Sequence, residues 1–304
     1  MTVFIPRILL ATDGSEDAVL ATRAAVELSN VLNSELHVAH AWNYPPPTIT
    51  YLGMQMADYD DGSKRRAERL MQKQSDLIDS MGGKVAETHL AQGPPIDVLL
   101  DLCDELEPVL VVIGSRGLGT IRRVLLGSVS EGLVHHARVP VLVVRGGEAA
   151  WPPGRIVVGD DFSQDAKTAG ELAATISKHY GANMVLVHAH PKMPPAPDVP
   201  PEVADDEPDL YGRMVEDLLQ REQYTLEERA KELEEYLGRT PEVDMKLEDP
   251  AAAILDAAGD DPSVFIAVGS RGLGAISRIR LGSVSTKVLR AAEGSVLVYP
   301  QHRS

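Results

Sequence analysis

Hydrophobic and polar positions along this 304-residue chain alternate between two rhythms. "RILLAT" (Arg7–Thr12) is a continuous apolar run, with the length of a strand buried on both faces. Behind it Ala18, Ala21, Ala25, Leu28 and Leu32 recur every three or four residues, which marks one face of a helix. A second strand is predicted over Leu36–Ala41, then a loop at "NYPPP" and a polar helix from about Lys64 to Met81. A third strand over Val85–Ala91 leads to a helix after Pro94 and Pro95. The strand "VLVVIG" (Val109–Gly114), a glycine loop, a helix over Val129–Ala137 and the strand "VPVLVV" (Val139–Val144) complete the unit. Strands alternating with helices imply right-handed crossovers and a parallel sheet covered on both faces.

The unit then repeats. "RIVVGDDFSQDAKTAGELAATIS" (Arg155–Ser177) matches "RILLATDGSEDAVLATRAAVELS" (Arg7–Ser29) at an offset of 148 residues. The helical stripe returns at Ala166, Ala169, Ala173, Ile176 and Tyr180. The glycine loops match at an offset of 155, so the second copy carries an insertion between the two blocks. That insertion, rich in proline and acid over residues 191–212, reads as a surface loop or lid, and the charged helix after it, about Arg213–Leu237, presents a solvated face. The expected domains are residues 1–148 and 153–304, joined near "RGGEAAWPPGR". Their final strands, "VPVLVV" and "GSVLVY", are apolar edges that sheets cover or pair, so the two units are expected to form an internal pseudo-dimer, with a homodimer left open.

Charge narrows the class of partner. A formal net charge of −16 argues against nucleic acid but not against a small anion held by backbone N–H groups. One cysteine, Cys103 in "VLLDLCDEL", excludes an internal disulfide and reads as a core thiol. No apolar run is long enough to span a membrane, and no basic region leads into a long apolar segment at the N-terminus, so a cytoplasmic protein is expected.

The chemistry concentrates where strands end. "VLVVIG" delivers Gly114 to a carboxyl end; Gly117, Gly127 and Ser128 follow, and Gly269, Gly272, Gly282 and Ser283 repeat that spacing. Glycines there let backbone N–H groups approach an anion, and the helix start beyond them is a natural phosphate site. Ser128 with Glu131 three residues on reads as a capping box, which Thr286 removes from the second copy. Arg116, Arg122 and Arg123 add positive charge. Glycines that merely turn the chain into a helix are the alternative. Neither the GxxxxGK[ST] phosphate loop nor a GxGxxG after a first strand is present. Asp13 and Asp161 end the first strands beside the same crevice, able to accept from ribose hydroxyls, or else to cap a helix; Ser15 and Ser163 are equally placed to cap. His40 and His188 lie in apolar runs and read as packed histidines, and no histidine group has metal-ligand spacing, so no metal site is expected.

These residues make the chain similar to a tandem universal stress protein. Both copies match G-x2-G-x9-G-[ST], and both carry "D[GF]S" after the first strand and a histidine–alanine pair ending the second. The resemblance implies an α/β fold of two open five-stranded parallel sheets, order 3-2-1-4-5, like that of the adenine nucleotide alpha hydrolases. It implies ATP, AMP or ADP at the switch point, with Mg²⁺ admitted as its companion. Asp13 and Asp161 would then contact adenosine, and the backbone of Ala41 and Ala189 would hold adenine. Ribose and phosphates would fall to Gly114, Arg116, Gly117, Gly127, Ser128, Val129 and Ser130, and in the second copy to Gly269, Arg271, Gly272, Gly282, Ser283, Val284 and Ser285. A nucleotide-dependent regulator in the stress response is the leading expectation, with a slow nucleotide hydrolase or a nucleotide-independent scaffold as alternatives.

Overall fold

The computed structural model describes residues 6–42, 56–117, 126–147, 150–191, 210–270 and 281–300. Arg122, Arg123, Arg271, Gly272 and most of the proline-rich insertion (192–209) lie outside these residues. The first half runs β1 (Arg7–Ala11), α1 (Glu16–Val31), β2 (Glu35–Trp42), α2 (Met56–Ser80), β3 (Val85–Gln92), α3 (Pro95–Leu106), β4 (Leu110–Gly114), α4 (Ser128–His136) and β5 (Val141–Val144). The second repeats it as β6 (Arg155–Gly159), α5 (Gln164–Tyr180), β7 (Asn183–His190), α6 (Leu210–Leu237), β8 (Glu242–Leu247), α7 (Pro250–Ala258), β9 (Val264–Gly269), α8 (Ser283–Ala291) and β10 (Val296–Tyr299).

Local sequence explains the boundaries. Ser15 caps α1 by accepting from the Ala18 N–H at 3.3 Å, and Ser163 caps α5 the same way from Ala166 at 3.1 Å. The predicted stripe is the buried face of each: Ala18, Ala21, Ala25 and Leu28 are buried, as are Ala166, Ala169, Ala173 and Ile176. Gly181, at φ +67, ends α5 in the left-handed region that a side chain would disfavour.

Ten strands form one sheet in the order β3-β2-β1-β4-β5-β10-β9-β6-β7-β8, so each half has the expected 3-2-1-4-5 order. All pairs within a half are parallel; β5 and β10 are antiparallel, with Leu142 opposite Leu297. Alternate strand residues serve two apolar layers. Ile8, Leu10, Leu110 and Val112 face α1 and α2, and the layer continues unbroken through Ile156, Val158 and α5. Leu9, Val111 and Val143 face α3 and α4, and join Val157, Ile266 and Val296 beyond them. Each such fully buried side chain contributes about 1.5–3 kcal/mol.

Polar contacts lock the halves across this seam. Glu27 Oε2 on α1 accepts from Trp151 Nε1 and from the Tyr180 hydroxyl, both at 2.9 Å. The Arg145 guanidinium donates to the carbonyls of Leu289 (2.7 Å) and Ala292 (2.9 Å) at the end of α8; burial lowers its pKa to about 10. Cys103 is buried on α3, and burial pushes its thiol up to about 12.

Candidate functional site

Strand order reverses between β1 and β4, and the chain leaves both strands there in loops that open a crevice. A cavity of about 410 Å³ occupies it. Its walls include Asp13, Ala41, Gly114, Arg116, Gly117, Gly127, Ser128, Val129 and Ser130, every residue the sequence proposed in the first copy. Thr12, Ala39, His40, Pro95 and Leu99 complete the part between β2 and α3.

Three contacts shape the glycine loop. Gly114 packs against the first turn of α1: a Cβ there would stand 2.7 Å from the Asp17 carbonyl carbon. The Gly127 N–H donates to Ser115 O at 2.8 Å, which closes the neck of the loop. The Ser130 hydroxyl donates to Gly114 O at 2.7 Å, tying α4 to the end of β4. The second copy repeats the last two, Gly282 N–H to Ser270 O and Ser285 Oγ to Gly269 O, each at 2.7 Å. The loop therefore has the same neck in both halves.

The capping box is a correction. Gly127 is the N-cap of α4 and no side chain of the described residues caps this end; Gly282 takes the same place at α8. Glu131 reaches instead to Arg290 Nη2 at 2.6 Å, across the seam. The uncapped first turn presents the N–H groups of Ser128, Val129 and Ser130 at a positive helix end. Loss of the box at Thr286 thus removes nothing from the second copy, where the Thr286 hydroxyl donates to Gly282 O at 2.8 Å.

Arg116 has a side-chain partner that no local pattern announces. Its guanidinium forks onto Asp17, Nε to Oδ2 at 3.0 Å and Nη2 to Oδ1 at 3.1 Å, and the Ser115 hydroxyl adds a bond to Oδ2 at 2.6 Å. That bond with Asp17 raises the Arg116 pKa, so the group stays charged at the cavity wall. Asp13 stands beside Gly117, whose Cβ would collide with the Asp13 carboxylate. Its Oδ1 accepts from the Ser15 N–H at 3.0 Å, and Asp161 holds Ser163 likewise at 3.0 Å.

His40 lines the cavity rather than lying in the core. Its Nδ1–H donates to Thr12 O at 2.8 Å, and His188 matches it with Asp160 O at 2.6 Å. A carbonyl only accepts, so these bonds fix the proton on Nδ1 of both rings.

Two differences between "TDGS" and "DDFS" set the second copy apart. Phe162 occupies the place of Gly14 at φ +66 and stacks on His188 with ring centroids 4.1 Å apart. Asp160 replaces Thr12, is buried, and pairs with Arg229 Nε at 3.5 Å. Burial raises its pKa, and Arg229 offsets part of that rise. Ala189, Gly269, Asp161, Gly282, Ser283, Val284 and Ser285 recur at the matching strand and helix ends of this half.

No described helix is long and apolar enough to cross a membrane. The universal stress protein family model matches twice, over residues 5–145 and 153–300. A universal stress protein of Mycolicibacterium smegmatis is 26% identical over 96% of both chains. One from Thermus aquaticus, named for its place beside a sulfhydrylase gene, is 34% identical over 45% of this chain and 97% of its own. Among solved structures, a universal stress protein from Archaeoglobus fulgidus superposes with a TM-score of 0.62 at 25% identity, covering 97% of this chain and 98% of its own.

Proposed function

Because this chain belongs to the universal stress protein family, we propose that it binds an adenine nucleotide, ATP foremost, in the crevice of each half. In this reading it acts as a nucleotide-dependent regulator in the stress response. The observation that carries the proposal is the single cavity in which all nine first-copy residues meet. Its volume of about 410 Å³ suits a small organic ligand.

Apolar walls at Ala39, Pro95 and Leu99 suit a purine, with the Ala41 backbone as its polar contact. Asp13, on the cavity wall, would accept from the ribose hydroxyls. Gly117 and the uncapped start of α4 suit phosphates, where exposed N–H groups and the helix dipole favour negative charge. A Mg²⁺ ion, where present, would travel with the phosphates. The units proposed to act this way are residues 1–148 and 153–304. A homodimer would use surfaces other than β5 and β10, whose facing edges are already paired.

Mass spectrometry of nucleotide released from gently purified protein tests the reading, together with a phosphate-release assay on added ATP. Bound adenine nucleotide with no repeated turnover supports the regulator. Many turnovers per chain would replace it with a hydrolase. Protein that carries no nucleotide and takes up none would leave a scaffold.

A further inference from the structure

Away from the crevice, at the amino end of β2, two histidines and two glutamates gather on one face of the sheet. His37 Nδ1 lies 3.0 Å from His89 Nε2 and 3.9 Å from Glu87 Oε2. The rings of His37 and His89 lie nearly parallel, 11° apart, with centroids 5.3 Å from one another. On the other side of the His37 ring, Nε2 is buried without a hydrogen-bond partner among the described residues, and Glu35 Oε2 stands 3.7 Å from it.

A break in strand register brings these groups together. Leu36 pairs with Val85, yet His37 pairs with Glu87, so Ala86 is an extra residue in β3. Unbroken register would set His37 opposite Ala86 and turn Glu87 and His89 to the other face. With the bulge, His37, Glu87 and His89 share one side.

We propose that His37, His89 and Glu87 form a binding site for a borderline divalent transition-metal ion, of which Zn²⁺ is the type. Two imidazoles and a carboxylate are a donor set this class of ion takes, leaving a fourth position for water. Zn–N bonds of about 2.0–2.1 Å in a tetrahedron put donors roughly 3.3 Å apart. The separations of 3.0 and 3.9 Å bracket that value. Metal on Nδ1 puts the ring proton on Nε2, pointing it at Glu35, the carboxylate that orients and strengthens many metal-binding histidines. The orphaned buried nitrogen thereby acquires its role. Arg7 on β1 is the opposing charge nearby, and the two glutamates offset it. Val185 stands at the matching position in β7, so the site belongs to the first half alone.

The alternative is a hydrogen bond between two neutral imidazoles and nothing more. Zn²⁺ titrated into the nucleotide-free full chain against a chromophoric chelator separates the two, with the Co²⁺ absorption spectrum as a readout of tetrahedral nitrogen–oxygen ligation. His37 is buried, so its replacement tests folding as well as binding; half-buried His89 and exposed Glu87 are the decisive positions. One ion per chain is expected, weakened at least roughly 10-fold by His89→Ala and by Glu87→Ala, and about 10- to 100-fold by Glu35→Gln. No stoichiometric ion, or Zn²⁺ affinity unchanged in His89→Ala, would overturn the proposal and leave the hydrogen bond.

Discussion

Substituting Gly117 by alanine isolates one interaction in the crevice. The added Cβ meets no backbone; it collides with Asp13 Oδ2, and stands 3.5 Å from Asp13 Cγ. Gly117 lies outside the left-handed φ region, so alanine adds no backbone strain. The half-buried Asp13 carboxylate must therefore swing away, at the expense of its bond from the Ser15 N–H. That lost bond costs about 0.5–1.5 kcal/mol of stability. A hydrogen bond from a ligand hydroxyl to a carboxylate is worth about 1.5–3 kcal/mol, so nucleotide affinity should fall roughly 10- to 150-fold. Equilibrium titration of ATP, with urea denaturation alongside, measures both effects. Asp13→Ala should weaken binding to a similar degree, and the double variant should fall well short of the sum. Gly114→Ala is the contrast, because its Cβ presses on the α1 backbone 2.7–3.0 Å away and should cost about 1–3 kcal/mol or more of stability. Gly117→Ala that binds ATP as the parent does, in a crevice still intact, would refute the assignment of Asp13 to the ligand.

Three further outcomes follow from the packing. Asp160 has a folded pKa above its ordinary value of 3.8, so the folded state holds that proton more tightly and the parent loses stability as pH rises through this interval. Asp160→Asn should accordingly gain on the parent in denaturation midpoint as pH rises above about 3.8; a difference independent of pH would contradict the burial argument. Glu27→Ala should cost about 1–3 kcal/mol for each of the two donors it strands, Trp151 and Tyr180, read by urea denaturation. Cys103, buried and with its pKa pushed up to about 12, should resist thiol reagents at pH 8 in the native chain and react on unfolding.

How much was legible depended on whether a feature was local. The alanine stripes of α1 and α5 and the serine caps follow from spacing along a few residues, and the structure has them. The edge-to-edge pairing of β5 and β10 followed from two apolar strands with nothing else to cover them. Glu131 was misassigned because its choice of partner is tertiary: Arg290, 159 residues away, outcompetes a weak local cap. Arg116 lines the cavity as its place in the motif suggests, but the hold of buried Asp17, 99 residues earlier, on its guanidinium is tertiary and no local pattern announces it. The His37–His89 pair was invisible because one extra residue in β3 decides which side chains share a face, and no local pattern announces it. Phe162 is visible as the variable position of D[GF]S, but its stacking on His188 is a contact that no local pattern announces.

The most direct test of the central claim is calorimetric titration of ATP into the purified, nucleotide-free full chain. Parent protein should bind saturably, up to one ATP in each half, and Gly117→Ala should weaken the first site roughly 10- to 150-fold while leaving the second unchanged. Absence of any saturable heat, or equal stoichiometry and affinity in parent and variant, would contradict a nucleotide in the crevice between β1 and β4.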